Sequence, residues 1–249
     1  MENNLAIKTY ETRAKMGEAA ALMTANKINE LLADREQVNI IFAAAPSQNE
    51  FLAALCQANV DWSRVNAFHM DEYVNLPSDA PQGFGNFLRD RIFGKLPFKS
   101  VNYLNGNAQN LEEECNRYEA LLKENPTDIV CMGIGENGHI AFNDPHVADF
   151  SDPKLVKVVD LDVACRQQQV NDGCFQTFNQ VPPHALTLTV PALMKATFVF
   201  CMVPGGLKST AVYNTMNQPQ TTQHPSTILR SHPSAVLFLD NDSSSKLHN

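Results

Sequence analysis

The chain has 249 residues and a formal net charge of −8, so it can bury a sizeable core but is a poor general partner for nucleic acid or an anionic membrane. The opening residues lack the apolar core and cleavage site of a signal peptide, and the longest apolar runs, such as 196–203, are far too short to span a bilayer. Six cysteines stand apart with no CxxC pair, as reduced thiols do, several of them in core positions, so a soluble cytoplasmic protein is expected.

In chain order, residues 5–10 read as a first strand and 12–35 as a long helix with Ala, Met, Leu and Ile at helical spacing. A continuous apolar strand spans 38–45, then Pro46-Ser47-Gln48-Asn49 leads into a helix over 50–58. Residues 65–70 form a strand that ends at Asp71; 83–93 and 111–123 read as helices, and 128–134 as the central strand. Further strands are expected near 156–161, 186–190, 197–203 and 235–239, with a helix starting near Gly206 and a frayed tail over 241–249. Apolar runs alternating with helices predict one doubly wound, mostly parallel α/β sheet covered by helices on both faces. No repeat, low-complexity stretch or composition break marks a linker, which predicts a single domain over 1–249.

The most informative stretch is MGIGENGHIAFNDP at 132–145. Its glycines, Gly133, Gly135 and Gly138, allow a sharp turn and a close backbone approach to a ligand at a strand's carboxyl end, where open α/β sheets bind ligands. His139 adds an imidazole and Asp144 a carboxylate that can orient it. Asp71, leaving a buried strand, is expected to be partly desolvated and so a better base near neutrality. Lys208 sits where a helix begins, unfavourably for the helix dipole unless an anion is bound there. Taken singly, each has a plainer reading: Asp71 as a cap, His139 as a satisfied loop histidine, Asp144 as a turn former, Lys208 as a solvated lysine.

Together with FHMDEYV at 68–74, VPGGLK at 203–208, NQVP at 179–182, ALT at 185–187 and STILR at 226–230, this loop resembles the glucosamine-6-phosphate deaminase (isomerase) family, in family order from about 38 to 240. The related 6-phosphogluconolactonases share the fold, but they usually carry Arg at the place of Tyr73 and differ after the Gly-His pair. The resemblance implies a single sugar-phosphate isomerase/deaminase domain that needs no metal or other cofactor. It implies ring opening assisted by His139, transfer of the C2 proton to C1 by Asp71, and Asp144 holding the histidine. The product would be a ketose 6-phosphate, from glucosamine 6-phosphate or its C4 epimer galactosamine 6-phosphate.

The chain departs from the family at four places. Asn137 stands where members carry Asp, and an amide can only position. Asp144 stands where they carry the longer Glu. The phosphate loop reads Ala45-Pro46-Ser47-Gln48-Asn49, leaving Ser47 and Gln48 to offer amides and side chains. No arginine stands at the family's second phosphate contact, and Arg166 is expected to substitute, beside Lys208. The end of the chain soon after 240, with only Lys154 and Lys157 near the expected activator site, points to an unregulated monomer or small homo-oligomer. A lactone hydrolase and a non-catalytic sugar-phosphate sensor are the alternatives; Tyr73 with Phe142-Asn143 disfavours the first, and retention of Asp71, His139 and Asp144 the second.

Overall fold

The computed structural model describes residues 4–247. From the N-terminus the elements are β1 (Ala6–Tyr10), α1 (Arg13–Asp34), β2 (Val38–Phe42), α2 (Asn49–Leu55), β3 (Val65–His69) and β4 (Asp71–Tyr73). Then come α3 (Phe84–Leu88), β5 (Ser100–Asn102), α4 (Leu111–Glu124), β6 (Ile129–Met132) and β7 (Val156–Asp160). The remainder holds α5 (Val163–Asn171), β8 (His184–Leu188), α6 (Val190–Met194), β9 (Phe198–Val203), α7 (Ser209–Asn217) and β10 (Ala235–Asp240).

Seven strands form a parallel sheet in the order β1-β10-β9-β6-β2-β3-β5. Side chains alternate across a strand, and here both faces are apolar. Ile40 and Phe42 of β2 join the core that Met16, Ala20 and Ile28 of α1 and Phe51 and Leu52 of α2 complete. Ile41, between them, joins the opposite core with Tyr118 and Leu122 of α4, Leu193 of α6 and Val212 of α7. Helix ends are fixed locally: Thr12 accepts from the Lys15 amide at the start of α1, and Asn110 from Glu112 and Glu113 at the start of α4.

The α/β class and the mostly parallel central sheet agree with the sequence reading, but three strands lie outside that sheet. β4, β8 and β7 pair antiparallel in a sheet of their own, with Asp71 opposite Thr187. The expected helix over 83–93 is α3 followed by a wider π turn, Arg89–Phe93. β5, α5 and α6 were not legible as elements. The expected frayed tail is corrected up to residue 247. Ser243 and Ser244 are buried, and Ser243 is tied to Asp240 by hydrogen bonds in both directions; residues 248–249 lie outside the described part.

The order of the sheet decides where a ligand can sit. Chain progression runs outward from β2 through β3 to β5, then returns to the other side of β2 at β6. The crevice outside the carboxyl ends of β2 and β6 is therefore the topological switch point, the place where such sheets bind ligands.

Candidate active site

A cleft opens at that switch point. It is lined by Ala43, Ala45, Ser47 and Gln48 after β2, Met70 and Asp71 after β3, Gly133 and Gly135 after β6, and Lys208 after β9. His139, Ala141 and Phe142 close one wall, and Phe84, Gln168 and Gln169 another. Four loops far apart in sequence thus deliver their polar groups to one space.

Asp71 is 5% exposed, and its carboxylate has no hydrogen-bond partner among the described residues. Burial, with the adjacent Glu72 adding to it, holds its pKa well above the ordinary aspartate value. Glu72 instead shapes the backbone. Its carboxylate accepts from the Tyr73, Phe84 and Gly85 amides at 2.9, 3.0 and 2.8 Å, pinning the start of α3 and with it Phe84. His69 is kept neutral, since burial lowers its pKa to about 3; its 3.7 Å approach to Glu72 is no ion pair at neutrality.

The histidine is held by a clasp of neighbours. His139 Nδ1 lies 2.8 Å from Asn137 Oδ1 and 3.1 Å from Asp144 Oδ1. Asn137 Oδ1 also accepts from the His139 amide, while its Nδ2 donates to Asp144 and Asp162. With both groups facing Nδ1 acting as acceptors, that nitrogen carries the proton and Nε2 keeps a lone pair. Asp144 is fully buried. Burial pushes its carboxyl up, but donation from His139, Asn137 and the Asp162 amide outweighs this, and the net pKa lies below the ordinary value.

Backbone geometry serves the same end. A Cβ on Gly135 would lie 2.2–2.4 Å from three atoms of the His139 ring, so only glycine lets the imidazole lie against this turn. Ala141 adopts φ 46°, a left-handed conformation costly for a residue with a Cβ. Thr187 and Asn143 hold it there: Thr187 Oγ1 accepts from the Phe142 amide, and Asn143 Nδ2 donates to Ile140 O and Leu188 O. The small antiparallel sheet therefore supports both Asp71 and the histidine loop.

At the other end, Lys208 is 7% exposed, and its Nζ has no hydrogen-bond or ion-pair partner among the described residues. Desolvation lowers its pKa, against Asp172, Glu136 and Cys165, whose fields raise it. An unpaired buried ammonium costs free energy that a bound anion returns. Ser47 and Gln48 line the same end, with Gln48 Nε2 donating to Ser47 Oγ at 3.2 Å and Met202 O at 3.3 Å.

The expectation for Arg166 is corrected. It is absent from the cleft walls; its guanidinium donates to Phe178 O and Val181 O and stacks over the Phe178 ring. On α5 the residues turned to the cleft are Gln168 and Gln169, which the sequence reading missed. Gln168 Oε1 accepts from the Glu136 amide at 2.8 Å. The Gln169 side chain is 6% exposed and has no hydrogen-bond partner among the described residues. The QQQ run at 167–169 was the available signal. Tyr73 is also not in the cleft: its ring packs among Phe84, Phe142 and Phe175, with its hydroxyl buried and unpartnered. A second hollow of about 260 Å³, behind Glu72 and Tyr73 and lined by Asn86, Arg89 and Tyr103, offers no free acid–base pair.

Residues 11–238 match the family described as glucosamine-6-phosphate isomerases/6-phosphogluconolactonase. A glucosamine-6-phosphate deaminase of Bacillus cereus (strain G9842) is 35% identical over 240 residues, covering 96% of this chain and 87% of that protein. One of Bacillus thuringiensis (strain Al Hakam) is 34% identical over the same share. Among solved structures, a monomeric glucosamine-6-phosphate deaminase superposes with a TM-score of 0.88 at 27% identity, covering 97% of this chain and 99% of the other. A 6-phosphogluconolactonase of Shewanella baltica OS155 gives 0.80 at 16% identity over 96% and 99%, a likeness of fold alone.

Proposed function

The chain belongs to the glucosamine-6-phosphate isomerase/6-phosphogluconolactonase family, and from that premise we propose that it is an amino-sugar-6-phosphate deaminase. It converts glucosamine 6-phosphate and water to fructose 6-phosphate and ammonia, or carries out the equivalent reaction on the galactosamine epimer. One observation carries the reading: an unpaired, desolvated carboxylate, Asp71, shares a cleft with an imidazole whose Nδ1 is anchored and whose Nε2 is left free.

Those two groups match the two proton transfers of the reaction. His139 Nε2 takes the proton of the anomeric hydroxyl and returns it to the ring oxygen, opening the pyranose. Asp144 and Asn137 steady the imidazole while it is charged. Asp71 removes the C2 proton and delivers it to C1, which moves the carbonyl character to C2; water then displaces ammonia there. Its raised pKa suits it to both halves of the transfer, because a less acidic carboxyl takes the C2 proton more readily and holds it until it is delivered to C1. Lys208 and the backbone and side chains around Ser47 and Gln48 hold the phosphate. Gln169 supplies a neutral donor in that anion site.

The protein acts as a cytoplasmic monomer or small homo-oligomer. Among the described residues no helix is long and apolar enough to cross a membrane.

The deciding experiment is an ammonia-release assay over glucosamine and galactosamine, each with and without the 6-phosphate, beside hydrolysis of 6-phosphogluconolactone. Ammonia should appear only with the phosphorylated amino sugars. Lactone hydrolysis without ammonia release would replace this reading with the hydrolase one, and binding without either reaction would make the protein a sensor.

A further inference from the structure

Beside the clasp on His139 lies a thiol that the deaminase chemistry does not use. Cys165, in the first turn of α5, is 1% exposed. Its Sγ, an imidazole nitrogen of His139 and a carboxylate oxygen of Asp144 all lie within 4.8 Å of one another. One side of that triangle, His139 Nδ1 to Asp144 Oδ1, is 3.1 Å. Ligands about 2.0–2.3 Å from a tetrahedral zinc ion stand roughly 3.2–3.7 Å apart. The His139–Asp144 side is therefore already close to that spacing, with a proton where the ion would be, and the Cys165 thiol lies within 4.8 Å of both. All three are buried, and His139 lines the cleft, which leaves one side for a water or substrate oxygen.

We propose that His139, Asp144 and Cys165 form a site for a soft divalent transition-metal ion of the Zn²⁺ class, and that the ion silences the enzyme by taking the place of the His139 proton. One imidazole, one thiolate and one carboxylate select zinc, cobalt or copper over magnesium or calcium. Binding one M²⁺ releases one proton, that of the Cys165 thiol, while the Nδ1 proton held between His139 and Asp144 moves to Nε2, so that a neutral imidazole ligates through Nδ1 and Nε2 no longer has a lone pair to offer. In the metal-free protein, burial and the Asp144 and Asp162 carboxylates keep the thiol protonated; a cation reverses the effect of those same charges. Once coordinated, the imidazole is fixed to the ion, and the ring-opening proton can no longer be relayed through a steadied imidazolium. The effect on turnover rests on the deaminase reading, whereas metal binding itself does not.

A neighbouring grouping, Asp144, His146 and Asp162, shares one carboxylate and is the competing location. The test titrates Zn²⁺ and Co²⁺ into the purified full chain in chelator-free buffer. Calorimetry follows binding, near-ultraviolet absorbance follows thiolate-to-Co²⁺ charge transfer, and ammonia release follows turnover. We expect one ion per chain, a charge-transfer band, and inhibition that EDTA reverses. Cys165→Ser should abolish the band and weaken Zn²⁺ at least about tenfold while keeping metal-free turnover, and Cys174→Ser and His146→Ala should leave both signals in place. A band that persists in Cys165→Ser, an affinity that follows His146, or binding without loss of turnover overturns the proposal. Should Cys165→Ser not fold, X-ray absorption of the Zn²⁺-loaded parent protein decides: a coordination shell without sulfur overturns it equally.

Discussion

Asp71 and Asp144 are both buried aspartates in one cleft region, yet their surroundings move them in opposite directions, and each direction has a consequence for stability. Asp71 is raised, chiefly by burial, so the folded chain binds its proton more tightly than the unfolded one. Its ionisation therefore costs stability as pH rises from the unfolded value of about 3.9 through the raised folded value. Asp144 is lowered because its hydrogen-bond donors outweigh burial. Its contribution is present above about pH 3.9 and is lost as pH falls through the depressed folded value. At pH 7 Asp71→Asn should raise the melting temperature and Asp144→Asn should lower it, each by about 2–4 °C per kcal/mol. The Asp71 difference should shrink toward pH 4, whereas the Asp144 difference should largely persist there and fall away only at lower pH. Thermal denaturation at the two pH values checks this, and mutants that shift in the same direction would contradict the assignment. The stabilised Asp71→Asn protein should nonetheless lose about 10²–10⁴-fold in turnover, as expected when a general base is removed.

At the level of elements, the turn after β6 is built around the ring it carries. Gly135 donates its amide to His139 O at 2.9 Å, and the ring covers the space a Cβ would need. Gly135→Ala should therefore displace the imidazole, lowering kcat by about 10²-fold, the lower range of general acid–base catalysis. Apparent substrate affinity, set mainly at the Lys208 end, should change little. Steady-state kinetics separates the two constants; a loss confined to KM would mean that the turn shapes binding instead of holding the acid–base group. The turn was legible in the sequence because glycine, histidine and aspartate fall within one short loop. Its support was not. Thr187 and Leu188 reach Phe142 and Asn143 across 45 positions, and no local pattern encodes such a contact. Nor did β4, with its three residues, carry enough alternation to separate it from β3.

Across the molecule, Lys208 is a cation that the fold buries in the cleft without a protein partner among the described residues. A ligand that binds only the folded chain stabilises it by about 2.7 kcal/mol at a hundred times its dissociation constant. Inorganic phosphate at such a concentration should raise the melting temperature by roughly 5–10 °C for a chain of this size. The Lys208→Ala protein should need about 10–100-fold more phosphate for the same shift, since a charge-assisted contact contributes about 1.5–3 kcal/mol. A phosphate-dependent shift identical in both proteins would place the anion elsewhere.

By itself the sequence determined the alternation of buried strands and helices, and hence the class of sheet. It also placed Asp71, His139, Asp144 and Lys208 at strand ends, because strand burial and glycine-rich turns are local patterns read over a few residues. The tertiary structure decided which neighbours those groups meet. It turned Arg166 toward Phe178 and Val181 and gave the cleft Gln168 and Gln169 instead; on a helix, a shift of two or three residues changes the face presented. It set the Cys165 thiol against Asp144, 21 positions away, and drew β4, β7 and β8 into a sheet of their own. Such outcomes depend on packing between segments distant along the chain, where the gain from burying both surfaces together chooses the pairing, and local periodicity carries no record of that choice.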